Sequence, residues 1–172
     1  MATSATRALE LIARSGVAHR VHVYEPPQRH GRDRGRRPAY GSDAAEALGI
    51  DPGRLHKTLA ASVDGRLVLA VVPVDRELDL KRLADALGGR RAVMADPAEA
   101  ERATGFVVGG ISPLGSRRQI PVVVDAAALD LETVFVSAGR RGLQVELAAS
   151  DLVRLANAKV AAIARDGAVG VT

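Results

Sequence analysis

Cysteine and tryptophan are absent from this sequence, and tyrosine and phenylalanine occur only twice each. Without a thiol the chain can form no disulfide, no thiolate nucleophile and no cysteine-based metal site. So few aromatic rings also argue against the base-stacking sheets that bind single-stranded nucleic acid. No apolar run approaches the roughly 20 residues that a bilayer-spanning helix needs. These absences exclude several classes of enzyme and binding protein before any motif is considered.

The remaining composition fits one globular domain of ordinary size. The chain has 172 residues, of which 47% are hydrophobic, enough to build a proper core. Residues 1–6 lack a basic region followed by an apolar one, so we expect no signal peptide and a cytoplasmic location. The net charge of +4 and the pI of about 10.1 are compatible with a polyanionic partner but do not establish one.

The stretch from Leu55 to Val63 is predicted to be a strand with a lysine in its more apolar row. That row contains Leu55, Lys57 and Leu59, and successive strand side chains point to opposite faces. An inward lysine is costly unless it is paired or faces a wet cleft. Lys57 is therefore either a strand-end lysine whose ammonium reaches water or a functional cation.

The rest of the chain predicts an α+β fold, in which a strongly bent mixed sheet of about seven strands is surrounded by short helices. Asp64-Gly65 is a hairpin turn signal, and the strand that follows, from Arg66 to Val74, is apolar almost throughout. That strand is expected to be central and buried on both faces. We expect one domain over residues 1–165 and a frayed tail over residues 166–172.

Two segments do not follow the periodicity of helix or strand. Residues 26–40 form a predicted loop with five arginines and one aspartate, best explained as a solvated insertion; a phosphate-contacting arm is the alternative. Residues 106–115 contain the pair Gly109-Gly110, whose free N–H groups suit a carbonyl or an anion. This stretch is neither a P-loop nor a dinucleotide fingerprint, and a structural turn is the simpler explanation.

The chemistry that these residues suggest is limited. No carboxylate pair, Ser-His-Asp arrangement or histidine cluster stands out, so no metal site is predicted. A lone lysine suits a Schiff base with a carbonyl or pyridoxal cofactor, or the electrostatic fixing of a phosphate or oxyanion. The spacing of the residues does not distinguish a Schiff-base lysine from one that fixes a negative charge.

Several motifs together resemble the YbaK/EbsC family, whose members include Cys-tRNA(Pro) deacylases. They are Lys57-Thr58-Leu59, the run from Leu78 to Ala84, Met94 to Pro97, Thr104 to Gly115, Val136 to Leu143, and Glu146 to Ala149. The resemblance covers about residues 5–165. It implies a fold of the prolyl-tRNA-synthetase editing-domain type, with a barrel-like sheet, and trans-editing of tRNA(Pro) mischarged with cysteine, alone or in a ternary complex with prolyl-tRNA synthetase. It implies neither a metal nor a cofactor.

The resemblance also implies roles for individual residues. Lys57 is expected to be catalytic, beside the aminoacyl-adenosine end, and Gly109 with Gly110 to place N–H groups near the ester. The cysteine thiol of the substrate would attack its own ester. Four further residues match positions that line the pocket: Tyr24, Tyr40, Phe106 and Ser137.

Three departures from the family pattern bear on specificity. The arginine-rich loop is an insertion, Phe106 stands where a tyrosine often occurs, and Gln144 stands where some members carry an acidic residue that could meet the ammonium of the substrate. An amide still accepts a hydrogen bond but loses the charge. The alternatives are therefore a deacylase for another small residue such as alanine, or a non-catalytic module that binds tRNA or the synthetase.

Overall fold

The computed structural model describes residues 5–26 and 39–167, which contain five α-helices and ten β-strands. The helices are α1 (Arg7–Ser15), α2 (Tyr40–Leu48), α3 (Leu80–Ala86), α4 (Pro97–Thr104) and α5 (Ala149–Leu155). The strands are β1 (His19–Val23), β2 (His56–Val63), β3 (Arg66–Pro73), β4 (Arg76–Leu78), β5 (Ala92–Met94), β6 (Val122–Asp125), β7 (Thr133–Arg140), β8 (Leu143–Ala148), β9 (Lys159–Ala161) and β10 (Ala164–Asp166). No helix among these residues is long and apolar enough to cross a membrane.

The strands form three sheets, and the predicted α+β class with a mixed sheet is confirmed. The largest sheet has the order β5-β2-β3-β6-β9, in which β2 is antiparallel to β3 and β5, while β3, β6 and β9 are parallel. A second, antiparallel sheet has the order β1-β8-β7, and β10 pairs with β4. Within the described residues the three sheets do not close into one barrel.

The predicted central strand is indeed β3, and both of its faces are buried. Leu69 and Val71 belong to the main hydrophobic cluster between the two larger sheets, together with α1 and α5. Val68, Ala70 and Val72 belong to a second cluster on the other face, beneath α3. Both rows of β2 are covered as well, because Ala60 packs in the main cluster and Ala61 in the cluster beneath α3. The sequence-based assignment of one inward row did not anticipate this.

The backbone around the glycine stretch is fixed by local signals that are visible in the sequence. The Asp96 side chain caps α4 by accepting from Ala98 N–H at 3.0 Å, and Gly105 ends the helix in the left-handed conformation. The β7–β8 hairpin contains a register shift between Ser137 and Arg140, where Gly139 has φ +106°. These features bring the loop that follows α4 next to the β7–β8 turn.

A buried aspartate fastens the last strands to the large sheet. Asp125 lies at the end of β6 and is 2% exposed. Its Oδ1 accepts from Ile163 N–H and Ala164 N–H, both at 2.9 Å, and its Oδ2 accepts from Ala127 N–H at 3.1 Å. The start of β10, and through it β4, is thereby held against the large sheet.

Parts of two sequence-based assignments lie outside the described residues. They are residues 27–38, which include most of the arginine-rich insertion, and residues 168–172 of the predicted tail. At the boundary of the insertion the structure corrects one detail, because Tyr40 is the first residue of α2 rather than the last residue of a loop.

Candidate active site

Lys57 lies between two hydrophobic clusters. Leu55, two residues before it, packs with Val74 and Phe135 in a small third cluster against α2. Ala61 and Val63, further along the same row, belong to the cluster beneath α3. Lys57 is partly buried and separates these two apolar groups. The row of Lys57 is therefore covered, and so is the opposite row, which contains His56 and Ala60.

The ammonium of Lys57 has no partner close enough for a hydrogen bond or an ion pair within residues 5–26 and 39–167. Burial lowers the pKa of Lys57, and the carboxylates of Glu77 and Asp75 act in the opposite direction without pairing with it. Holding an unpaired cation in a partly dehydrated position costs free energy. A negatively polarised group bound beside Lys57 would recover part of that cost.

Three of the predicted substrate-binding residues lie on one face of the β1-β8-β7 sheet. Ser137 and Gln144 are directly opposite each other in β7 and β8, and both are buried, at 9% and 5% exposure. Tyr24 follows β1 and packs against the third cluster. An isolated parallel β-bridge joins Leu55 to Phe135. Lys57 and Ser137 each lie two residues further along the chain. Because strand side chains alternate, Lys57 lies on the same side as Leu55, and Ser137 on the same side as Phe135, so the two face the same side of the bridge.

The polar groups on this face are not fully paired. Gln144 Oε1 is buried and has no hydrogen-bond partner. The Ser137 hydroxyl oxygen accepts from Gly139 N–H at 3.3 Å, and within the described part of the chain its own proton has no acceptor. Buried polar groups are normally hydrogen-bonded, so an orphaned amide oxygen beside a hydroxyl donor suits a polar ligand.

Gly109 and Gly110 are packed too closely for any side chain. A Cβ at Gly109 would lie 2.8 Å from Arg141 Nε and from the Tyr40 ring, and φ is +88° there. A Cβ at Gly110 would lie 2.7 Å from Arg140 Cα. The Gly110 N–H donates to the Val107 carbonyl at 2.9 Å, so the expectation that both glycines offer free donors is corrected at Gly110. In the described part of the chain the Gly109 N–H has no acceptor.

Two residues that hold this glycine loop were not predicted from the sequence. Arg141 donates from Nε and Nη2 to the Val108 carbonyl, at 2.9 and 2.6 Å, and its guanidinium lies 4.5 Å from the centre of the Tyr40 ring. On the other side, Glu101 Oε1 accepts from Val108 N–H at 3.2 Å. These contacts join α4, the β7–β8 turn and the start of α2, and no sequence periodicity signals them.

A second unpredicted feature is a charged network near the Arg54 end of β2. Glu146 Oε2 accepts from Thr133 at 2.7 Å and from Arg54 at 3.2 Å, and Glu146 Oε1 lies 3.2 Å from His22 Nε2. Burial raises the pKa of Glu146, but the hydrogen bonds and charges of Thr133, His22 and Arg54 outweigh it and lower the pKa overall. An ionised Glu146 in the central strand β8 therefore links β1, β7 and Arg54 on the same face of this sheet.

Phe106 is the predicted site residue that the structure places apart from the others. Its ring is 5% exposed and belongs to the main hydrophobic cluster, with Cε1 2.9 Å from the position of a Cβ at Gly139. β7 has Val134 and Val136 on its main-cluster side and Ser137 on the other. A substrate-binding role for Phe106 remains a prediction. Within the described part of the chain, no group of three or more His, Asp or Glu side chains is arranged to hold a metal ion.

His56 leads to a pH-dependent prediction. It is 1% exposed, its Nδ1 lies 3.2 Å from the Arg54 carbonyl and therefore carries the proton, and Nε2 has no partner. Burial lowers the pKa of His56 below 6.5, so below that pH the unfolded chain binds more protons than the folded one. We expect the free energy of unfolding to fall on acidification from about pH 7.5 to about pH 5.5, and the His56→Phe variant to lose part of this fall.

Urea unfolding at the two pH values measures this effect. The matched control is His19→Gln, because His19 is exposed. An unchanged pH dependence in His56→Phe would show that His56 makes no contribution.

Comparison with known proteins identifies relatives over most of the chain. Residues 39–155 match the family model described as the aminoacyl-tRNA editing domain. The Enterococcus faecalis protein provisionally named Cys-tRNA(Pro)/Cys-tRNA(Cys) deacylase EbsC is 41% identical over 121 residues, which is 69% of this chain and 73% of that protein. The Escherichia coli multifunctional Ser/Thr-tRNA deacylase ProXp-y is 30% identical over 157 residues, 87% of this chain and 86% of that protein.

A solved structure shows the same fold. It is a provisional trans-editing enzyme for prolyl-tRNA synthetase, with a TM-score of 0.79 and 24% identity, and the match covers 96% of this chain and 99% of that one. The likeness supports the architecture described above.

Proposed function

Since the chain belongs to the aminoacyl-tRNA editing domain family, we propose that it removes wrongly attached cysteine from tRNA(Pro) in trans. Two relatives covering most of its length are named as aminoacyl-tRNA deacylases. The pockets of synthetases discriminate poorly between amino acids of similar bulk, so a separate step must clear the product. Such an enzyme works where tRNA is charged, in the cytoplasm, either alone or in a ternary complex with prolyl-tRNA synthetase.

The unpaired ammonium of Lys57 is the observation that carries this proposal. It lies in a partly buried row on the same side as Ser137, and no carboxylate of residues 5–26 or 39–167 pairs with it. In this proposal it fixes the ester end of the charged tRNA by attracting the polarised carbonyl or a nearby phosphate. The donor expected to assist it is the free N–H of Gly109.

The nucleophile in the proposed reaction is supplied by the substrate. The thiol sulfur of the attached cysteine attacks the ester carbonyl carbon, forming a C–S bond. The C–O bond to the terminal ribose breaks, the thiol proton passes to the released ribose oxygen, and cysteine leaves as a thiolactone. The chain itself has no thiol and no evident serine nucleophile, which suits a mechanism in which the protein orients the ester and stabilises charge.

A second candidate substrate is a hydroxyl-bearing amino acid. Gln144 replaces a charged position with a neutral acceptor, and together with the Ser137 hydroxyl it offers one acceptor and one donor. A neutral pair of this kind suits an O–H group as well as an ammonium. The relative named as a Ser/Thr-tRNA deacylase supports this alternative.

A panel of charged tRNA(Pro) tests the proposal. We expect Cys-tRNA(Pro) to be deacylated at least about 10-fold faster than Ser-tRNA(Pro) and Ala-tRNA(Pro), because a thiol is the better nucleophile. 2-Aminobutyryl-tRNA(Pro) is the matched control, because its terminal methyl group has nearly the bulk of the thiol but carries no S–H, and it should survive.

The other outcomes contradict specific parts of the proposal. Equal release of serine and cysteine would indicate attack by water and favour the second candidate. Fast release of alanine would assign the protein to another small residue. Tight tRNA binding with no release of any amino acid would show a non-catalytic binding module.

A further inference from the structure

From the contacts around the Val108–Gly109 peptide we infer that Arg141 is a positioning residue, which locks this peptide so that the Gly109 N–H is presented to the substrate carbonyl. The inference rests on the proposed function, in which that carbonyl belongs to an aminoacyl ester. It assigns to the β7–β8 turn a role in the reaction.

The geometry of the Val108–Gly109 peptide unit sets the direction of the Gly109 N–H. The Val108 carbonyl and the Gly109 N–H belong to the same planar trans peptide, so they point in opposite directions. Arg141 donates two N–H groups to that carbonyl, at 2.9 and 2.6 Å. The Gly109 N–H is therefore directed away from Arg141. It has no acceptor in the described part of the chain.

The Val108–Gly109 peptide needs a restraint to keep one orientation. Gly109 has φ +88°, a conformation open to glycine, and glycine also permits the preceding peptide to rotate. Glu101 holds only the Val108 N–H, at 3.2 Å, which is one peptide earlier. Arg141 is thus the side chain that fixes the orientation of the 108–109 peptide.

The Arg141 side chain is itself held in place by Tyr40. Its guanidinium stacks over the Tyr40 ring, with the carbon 4.5 Å from the ring centre. A planar guanidinium can stack on the ring and donate two N–H groups to one carbonyl at the same time, whereas a lysine ammonium is a compact point charge with no planar fork. The required chemistry is therefore that of arginine and not merely that of a positive charge.

Kinetics of three variants on Cys-tRNA(Pro) test the inference. Arg141→Met and Arg141→Lys are both expected to lower kcat by about 100-fold with KM changed less than about threefold, because an oxyanion donor acts in the transition state. Arg14→Met, at an exposed arginine in α1, is the control and should match the parent protein. Recovery of activity in Arg141→Lys, or a raised KM with unchanged kcat, would show a simple charge contact with tRNA and overturn the inference.

A readout that does not depend on activity tests the positioning role of Arg141 separately from the proposed deacylation. The Gly109 amide cross-peak in a ¹⁵N–¹H spectrum should shift, and its hydrogen exchange should change, in both Arg141 variants and not in Arg14→Met. If the parent protein deacylates nothing but this signal moves, the proposed reaction fails and the positioning role stands. If the parent protein is active and neither kcat nor the Gly109 signal responds, the positioning role fails alone.

Discussion

Replacing Lys57 by methionine is expected to lower Cys-tRNA(Pro) deacylation by about 100-fold or more while leaving the fold as stable as before, or more stable. Methionine keeps the length and apolar stem of the lysine side chain and removes the ammonium. Burial lowers the pKa of Lys57, and no partner compensates the loss of hydration in the described part of the chain. Its removal should therefore raise the free energy of unfolding, by up to about 1 kcal/mol.

The other two lysines provide matched controls for this measurement. Lys81 and Lys159 are both exposed, and Lys81→Met and Lys159→Met should change neither thermal stability nor the rate of deacylation. The measurements are a single-turnover deacylation assay and thermal unfolding of all four proteins. A Lys57→Met protein that is less stable and fully active would show that the lysine is a structural strand-end residue whose ammonium reaches water.

Replacing Asp125 by alanine is expected to lower the free energy of unfolding by about 3–5 kcal/mol. The carboxylate accepts three backbone hydrogen bonds at 2.9, 2.9 and 3.1 Å, and its side chain is buried. A hydrogen bond to a charged group contributes about 1.5–3 kcal/mol, and a buried donor left unpaired adds to the cost. Truncation would leave the N–H groups of Ile163, Ala164 and Ala127 without this acceptor.

Denaturant unfolding of two further variants makes this prediction specific. Asp125→Asn keeps one carbonyl oxygen but turns an NH₂ group toward a backbone N–H, so we expect roughly half the loss of Asp125→Ala. Asp130→Ala, at an exposed aspartate five residues later, should be close to neutral. A loss below about 1 kcal/mol in Asp125→Ala would contradict the prediction.

The elements that the sequence predicted well are those with a clear period or a local signal. β3 was identifiable because nearly every residue is apolar. The turn at Asp64-Gly65, with φ of +49° and +82°, follows from residue preference alone. The additional strands β4 and β10 have three residues each, too few for alternation to be visible.

The parts that the sequence did not predict depend on contacts between distant segments. The Arg141 contact joins residues 33 positions apart and exists because the β7–β8 hairpin shifts register at Gly139. His56 lies in the row of β2 opposite to Lys57, which the alternation pattern leaves facing outward, yet it is buried, because the main cluster covers that row. The orphaned oxygen of Gln144 likewise depends on which strands flank β8, and that is a property of the assembled sheet.

The connection between β10 and β4 has a consequence for how such an enzyme diverges. Glu77 of β4, one of the two carboxylates acting on Lys57, is held at 3.3 Å by the exposed Arg165 of β10. A substitution that removes the Arg165 guanidinium would leave the Glu77 carboxylate without this ion pair. Drift in the last strand would therefore change the surroundings of Lys57 while β2, β7 and β8 stay as they are.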